Sequence, residues 1–185
     1  MGNIIETERL ILRSFTNSDT NDLFEYLSRI FINCFMEMKV STKEEAEKAL
    51  AQRIKTPLYF AIVLKESGKV IGEIFSDSIC TNEFGGVKDN YSLCWMLSED
   101  YQSKGYMKEA AQAYIDFLFE ECGARRLFAY TEDYNIGCQK LLEKLGFRQE
   151  GLFKEFVSFV NDENGNPVYE NTYQYAILKK EWKSK

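Results

Sequence analysis

The chain contains no histidine among its 185 residues. Without an imidazole it lacks the commonest general base, and every Ser-His or Cys-His mechanism is excluded. The usual zinc sites also lose their most frequent nitrogen ligand, so we expect no metal. The five cysteines are an odd number with no metal-like spacing, and they are typical of reduced thiols. Any chemistry performed by this chain therefore uses other groups.

Long apolar runs and an excess of basic residues are also missing. No run is long enough to span a membrane, and the N-terminus lacks a signal-peptide core. The net charge of −6 argues against a general nucleic-acid binder, which needs a basic face. It mildly favours a cationic substrate such as an amine, although acidic proteins are commonly charged for solubility. We expect a cytoplasmic protein with no membrane or nucleic-acid partner.

What is present suits a globular fold. Apolar residues make up 45% of the chain and aromatic residues 15%, and the length fits one domain, residues 1–185. The patterns predict a strand, two helices, three strands, a helix, a strand, a helix and two strands. This order indicates a mixed α/β domain around a mostly antiparallel sheet. The predicted strands are 7–15, 58–64, 70–75, 91–97, 126–131, 147–160 and 168–179, and the predicted helices are 19–29, 41–55, one opening within 102–109, and 136–145.

The segment 102–109 joins a predicted strand to a predicted helix through a short turn that contains Gly105. Such a turn leaves backbone N–H groups unpaired, with the positive end of the helix dipole behind them. Lys104 adds a cation beside it. The arrangement predicts an anion site that suits phosphate or pyrophosphate.

A second informative segment, 135–147, follows about thirty residues later. Its apolar residues have helical spacing, and Gly146 follows the last turn in the position that favours a left-handed conformation. The apolar positions are Cys138, Leu141, Leu142 and Leu145. With the first segment it suggests a site that holds a phosphate-bearing cofactor against a second substrate.

Together the two segments resemble the GNAT acetyltransferase superfamily over nearly the whole chain. Gln102-x-x-Gly105-x-Met107 matches its acyl-CoA pyrophosphate loop, with Met107 where a small residue is usual. Asn135-x-x-Cys138, followed by Glu-Lys-Leu-Gly-Phe at 143–147, matches the second motif. The flanks 7–13 and 175–182 look like the branch of the RimJ and RimL ribosomal-protein N-terminal acetyltransferases.

The resemblance implies acetyl-CoA as co-substrate and direct attack of an amine on its thioester. Backbone groups at Met96, Leu97 and Ser98 would run beside the pantetheine arm, and an N–H there would stabilise the oxyanion. Asn135 would hydrogen-bond the pantetheine or a site water, although it is also a candidate N-cap. The pyrophosphate would be bound by Gln102, Ser103, Lys104, Gly105, Tyr106 and Met107.

Cys138 stands where related enzymes often carry serine, so the resemblance implies that it protonates the departing CoA thiolate. An unperturbed thiol pKa of about 8.5 matches a thiolate leaving group better than a serine hydroxyl does. Cys138 also lies on the apolar stripe of its helix, where an inert buried thiol is an equal alternative. Tyr134 is the second candidate acid.

The sequence does not identify a single general base. Ser92 and Cys94 occupy strand positions where some GNAT enzymes have a carboxylate. Glu73 ranks first because a strand positions it firmly, and Glu83 and Glu155 are alternatives. A water relay is equally compatible with the sequence.

The preferred acceptor is a protein N-terminal amine of the ribosomal-protein kind. The alternatives are a polyamine or an aminoglycoside, and a module that binds acyl-CoA without turnover. The apolar stretch 31–38 is compatible with core, with a homodimer contact or with a border of the acceptor groove.

Overall fold

A computed structural model describes residues 3–30, 32–79 and 88–182. Within these ranges the chain forms eight strands and four α-helices, joined by short 3-10 turns. The strands are β1 (Ile5–Glu6), β2 (Leu10–Arg13), β3 (Tyr59–Leu64), β4 (Val70–Ile79), β5 (Asn90–Leu97), β6 (Arg126–Glu132), β7 (Arg148–Asn161) and β8 (Pro167–Leu178). The helices are α1 (Thr20–Leu27), α2 (Lys43–Lys55), α3 (Tyr106–Glu120) and α4 (Ile136–Lys144).

The chain divides into two compact units. The first contains Met1–Ser76 and Cys94–Phe117, and the second contains Asp77–Leu93 and Leu118–Lys185. The strand order is β1-β2-β3-β4-β5 in the first unit and β5-β6-β8-β7 in the second, with β5 contributing to both. Among the described pairings only β5 and β6 run parallel. The predicted mixed α/β fold with a mostly antiparallel sheet is therefore confirmed.

The core of the first unit forms between its helices and β2 to β4. Leu10 and Leu12 are fully buried and alternate along β2 with the partly buried Ile11 and Arg13. On the other face of β2, helices α1 and α2 bury Leu23, Leu27 and Leu50 in one cluster, against which Ile11 packs.

In the sequence, Ser41 followed by Glu44 predicts a capping box with Ser41 as the N-cap of α2. The structure places the cap one residue later, at Thr42, whose hydroxyl accepts from the Glu45 amide.

In the second unit β6 and β8 pair over seven positions, from Arg126 and Leu178 to Glu132 and Thr172. Helix α4 packs Leu142 into this unit, and Gly146 follows it with a φ of +89°. That left-handed residue ends the helix as its position in the sequence predicts.

Two segments carry no predicted helix or strand. The apolar stretch 31–38, whose apolar residues follow neither helical nor strand spacing, contains a 3-10 helix, Asn33–Met38. The loop predicted at 82–90, with the candidate Glu83 and also Cys80, lies largely outside the described residues. Among the helices of the described ranges, none is long and apolar enough to cross a membrane.

Candidate active site

The turn between β5 and α3 is built from two left-handed residues. A 3-10 turn, Glu99–Tyr101, follows β5, and the Gln102 amide donates to Glu99 O at 3.1 Å. Ser103 then has a φ of +60° and Gly105 a φ of +83°. These two positions reverse the backbone so that α3 begins at Tyr106.

Six consecutive backbone N–H groups, 103–108, donate to no acceptor within the described residues. The first amide of this segment with a partner is Glu109, which donates to Gly105 O at 3.1 Å. Helix α3 is 15 residues long, so the positive end of its dipole lies behind these donors. Unpaired amides at such a helix end favour a phosphate group.

The side chains of the turn hold its shape. The Gln102 amide Nε2 donates to Leu97 O at 3.2 Å. The Lys104 ammonium donates to Asp100 O at 2.8 Å and lies 5.4 Å from the centroid of the Tyr101 ring. Both side chains therefore fold back onto the turn, and their predicted contacts with pyrophosphate stay predictions.

Arg9 supports the same turn from the N-terminal segment. Its Nη1 donates to Lys104 O at 3.1 Å, and its guanidinium lies 4.4 Å from the centroid of the Tyr106 ring. The Glu109 carboxylate accepts from Arg9 Nε at 2.7 Å and from Thr7 Oγ1 at 2.6 Å. Burial opposes ionisation of Glu109, but these bonds hold the pKa of its carboxyl below its usual value. The sequence does not predict that Arg9 supports this turn, although residues 7–13 resemble the family in the N-terminal flank.

The end of β5, where pantetheine contacts are predicted, lies against β4. The Ser98 amide donates to Ile71 O at 2.8 Å. A Cβ atom added to Gly72 would lie 2.3 Å from Met96 O and 3.0 Å from the Leu97 Cα. Only glycine fits there without moving one of the two backbones, so Gly72 sets the position of the strand end.

Glu73, the first-ranked candidate base, is fully buried and fully hydrogen-bonded. Its carboxylate accepts from the phenols of Tyr26 at 2.7 Å and Tyr59 at 2.8 Å. Arg53 Nε and Nη2 donate to its two oxygens at 2.7 and 2.9 Å. Burial alone would lower the pKa of Arg53, but the Glu73 charge holds it above its usual value. With these four bonds the Glu73 carboxylate is paired within the core. Its role as general base stays a prediction.

In the second unit, Asn135 caps α4. Its Oδ1 accepts from the Cys138 amide at 3.2 Å, which confirms the capping interpretation. The bond uses one oxygen, and the predicted contact of Asn135 with pantetheine or a water stays a prediction. Tyr134, beside it, is half-exposed and donates from its phenol to Glu170 Oε2 at 2.8 Å.

Cys138 is half-buried, and its thiol is a weaker acid than its residue type suggests. Desolvation raises the pKa of the Cys138 thiol to about 11, the Glu132 charge also raises it, and the Thr131 hydroxyl lowers it. The thiol therefore keeps its proton at neutral pH. Proton transfer from it to a thiolate is less favourable than between matched thiols.

Ser92 and Cys94 are part of β5, as predicted, and neither side chain is a carboxylate that could act as base. The remaining candidate base within the described residues lies on β7. Glu155 lies in an irregular part of β7, with a φ of +49°, and its amide donates to Asn171 Oδ1 at 3.1 Å.

Comparison with known proteins shows the family of this chain. Residues 9–148 match the acetyltransferase (GNAT) domain. The chain is 32% identical over 180 residues to the uncharacterized N-acetyltransferase YnaD of Bacillus subtilis, covering 96% of this chain and 98% of YnaD. The chain belongs to the GNAT family and is an N-acetyltransferase. Enzymes of this family use acetyl-CoA and an amine acceptor.

Solved structures show the same fold. A GNAT-family acetyltransferase from Bacillus anthracis superposes with a TM-score of 0.82 at 28% identity, covering 97% of this chain and all of that one. RimL, a ribosomal α-N-protein acetyltransferase in complex with coenzyme A, gives a TM-score of 0.75 at 18% identity, covering 95% of this chain and 98% of that chain. At that identity the likeness to RimL is one of fold alone.

Proposed function

We propose that this chain transfers the acetyl group of acetyl-CoA to a primary amine, with a protein N-terminal amine of the ribosomal-protein kind as first choice. The observation that supports the cofactor part is the run of amides at 103–108, in the turn and the first residues of α3, which have no acceptor in the described part of the chain. In this proposal the amides of Ser103, Lys104, Gly105, Tyr106 and Met107 bind the pyrophosphate. Gln102 and Arg9 hold the turn in the shape that presents them.

The pantetheine arm runs beside the backbone of Met96, Leu97 and Ser98 in this proposal. The amine nitrogen attacks the thioester carbonyl carbon, the C–S bond breaks, and the CoA thiolate takes up a proton. Cys138 supplies that proton, with Tyr134 as the alternative donor. Support for Cys138 comes from its protonated thiol at the start of α4, next to the Asn135 cap.

A protein N-terminus as acceptor is supported by the flanks 7–13 and 175–182, which resemble the RimJ/RimL branch. RimL, which has the same fold, is described as a ribosomal α-N-protein acetyltransferase. A polyamine or an aminoglycoside is the second candidate acceptor, and the net charge of −6 favours such cations. A single acetyltransferase domain over 1–185, a cytoplasmic location and a homodimer stay predictions.

Substituting Gly105 by alanine is expected to weaken acetyl-CoA binding about tenfold, or about 1.4 kcal/mol. Gly105 has a φ of +83°, and an added Cβ would lie 3.4 Å from Arg9 Nη2. An alanine in this left-handed conformation strains the turn, and its methyl contacts the residue that supports the turn. Calorimetric titration with acetyl-CoA measures the effect. Gly123→Ala is the matched control, because it has a φ of +69° with nothing within 4 Å; equal losses in both variants would contradict the proposed loop.

Alkylation of Cys138 by iodoacetamide is expected to rise with pH around a midpoint near 11, the raised pKa of its thiol. The thiolate is the reacting form, so the rate at about pH 8 should be on the order of 10²-fold below that of an unperturbed thiol. Mass spectrometry of the modified peptide measures it, and Cys138→Ser identifies the signal. A midpoint near 8.5 would show that the thiol is not desolvated.

The acid role of Cys138 has its own test. Cys138→Ala should lower the rate of thiol release from acetyl-CoA, and Cys138→Ser should restore part of it, because a hydroxyl can also donate a proton. Unchanged turnover in Cys138→Ala would show that Cys138 is not the acid and would leave Tyr134 as the candidate proton donor.

A further inference from the structure

Three aromatic rings of the second unit contact one another but remain open to solvent. Tyr130 of β6 and Phe153 and Phe156 of β7 are 43%, 38% and 53% exposed. The ring centroids lie 6.3 Å apart for Tyr130 and Phe153, 6.0 Å for Tyr130 and Phe156, and 5.0 Å for the two phenylalanines. Exposed apolar groups gathered in one patch commonly mark a binding surface.

Strand register places these rings beside polar residues on one face of the sheet. Glu132 on β6 is opposite Thr172 on β8, which is opposite Phe153 on β7. Directly opposed residues share a face, with Cβ atoms about 5 Å apart. In the next row, Gly151 has no side chain, and its missing Cβ would lie 3.6 Å from the Phe153 ring. The ring of Phe153 therefore extends across Gly151 in the direction of Tyr130.

The floor of this face is polar and contains a hydroxyl with no partner. Glu132, Glu170 and Thr172 are all buried. Glu170 precedes Thr172 by two residues on β8, so both point to the same face. The Thr172 hydroxyl is completely buried and makes no hydrogen bond within the described part of the chain. A buried hydroxyl without a partner costs about 1–3 kcal/mol, which a ligand that supplies a donor would offset.

A bulge in β7 brings Phe156 to this face and is tied to the end of β6. Between the pairs Phe153–Thr172 and Val157–Glu170, β7 advances four residues while β8 advances two. Glu155 in the bulge has a φ of +49°. Asn171 joins the bulge to β6, because its Oδ1 accepts from the Glu155 amide at 3.1 Å and its Nδ2 donates to Asp133 Oδ2 at 2.8 Å. Strained backbone held in this way is common at binding sites.

We infer that this aromatic–acidic face, formed by Tyr130, Phe153, Phe156, Glu132, Glu170 and Thr172, binds the acceptor through a primary ammonium carried next to an apolar or aromatic side chain. The inference rests on the proposed function and narrows its acceptor. An ammonium has three donors; the two carboxylates supply acceptors of opposite charge, and the Thr172 hydroxyl supplies a neutral acceptor. The rings take the neighbouring apolar group and attract the cation through their faces. A polyamine carries the positive charge but has no apolar or aromatic side chain that could pack against the three rings.

The test uses three matched probes and needs no turnover. Phenylalaninamide carries both the ammonium and the ring, glycinamide lacks the ring, and 3-phenylpropanamide lacks the ammonium. Titration followed by NMR at about pH 6.5 keeps the α-amine mainly protonated. We expect phenylalaninamide to bind at least tenfold more tightly than either other probe. Phe156→Ala and Thr172→Val should each weaken it about tenfold.

Tyr169→Ala is the matched control. Tyr169 is 60% exposed, precedes Glu170 on β8 and therefore points to the opposite face. Equal affinity for the three probes, no measurable binding of phenylalaninamide, or an equal loss in Tyr169→Ala would overturn the inference. Failure of the proposed function is distinguishable, because it appears as absent acetyl-CoA binding or thiol release while phenylalaninamide still binds.

Discussion

Replacing Glu73 by glutamine is expected to destabilise the protein by about 3–5 kcal/mol. The side chain is completely buried and accepts two hydrogen bonds from Arg53 and one each from Tyr26 and Tyr59. A glutamine leaves the buried Arg53 charge uncompensated and turns an amide donor toward other donors. Urea denaturation followed by circular dichroism measures the change.

The control is the same substitution in an exposed ion pair. Glu6 accepts from Lys65 at 3.0 Å, and the Glu6 side chain is 65% exposed. Glu6→Gln should change stability by less than about 1 kcal/mol. Comparable effects of the two substitutions would contradict the description of Glu73 as a buried, paired carboxylate.

The Glu73 variant also tests the prediction that this residue is the general base. If Glu73 acts only by holding α1 and α2 to the sheet, the variant studied below its unfolding temperature keeps turnover with an unchanged pH profile. If it is the base, turnover falls by about 10²–10⁴-fold in the folded protein. Thiol release across a pH series separates these outcomes.

Substituting Gly72 by alanine is expected to weaken acetyl-CoA binding at least tenfold and to destabilise the protein by about 1–3 kcal/mol. The added methyl would lie 2.3 Å from Met96 O, so β4 or β5 must shift. The shift falls on the backbone proposed to run beside pantetheine. Calorimetry with acetyl-CoA and urea denaturation measure the two effects.

Gly137→Ala provides the comparison in the first turn of α4. Its added Cβ would meet only Asn135 Oδ1, at 3.9 Å. Alanine there should raise stability by about 0.5–1 kcal/mol because it favours the helix. Unchanged acetyl-CoA affinity in Gly72→Ala would show that the end of β5 does not contact the cofactor.

Local signals predicted much of the fold and the turn before α3. Gly146 has the positive φ that its place after α4 predicts, and Gly105 lies in the predicted turn between β5 and α3. The capping role of Asn135 was also readable, because an asparagine before an apolar helical stripe is a typical N-cap. The predicted N-cap of α2 is one residue too early. Ser41 and Thr42 are each followed by a glutamate three residues later, and only the folded chain selects Thr42.

Contacts between distant segments could not be predicted in the same way. The bond from the Arg9 amide to Glu109 joins residues 100 positions apart, and nothing local in either segment indicates it. The sequence around Arg53 predicts a solvated helix residue, but in the folded chain Arg53 forms a buried ion pair with Glu73. Thr172 and Glu132 lie opposite each other only because of the register of β6 and β8. The acceptor face proposed above depends on such pairings, which explains why the sequence alone does not indicate it.

Thiol release from acetyl-CoA, measured with and without a panel of N-terminal peptides and small amines, tests the central claim most directly. We predict release that depends on an added amine and is matched by the appearance of the acetylated amine in mass spectrometry. Acceptors with an apolar first residue should react fastest. Acetyl-CoA binding without amine-dependent thiol release from any acceptor would contradict the account and favour a module that only binds acyl-CoA.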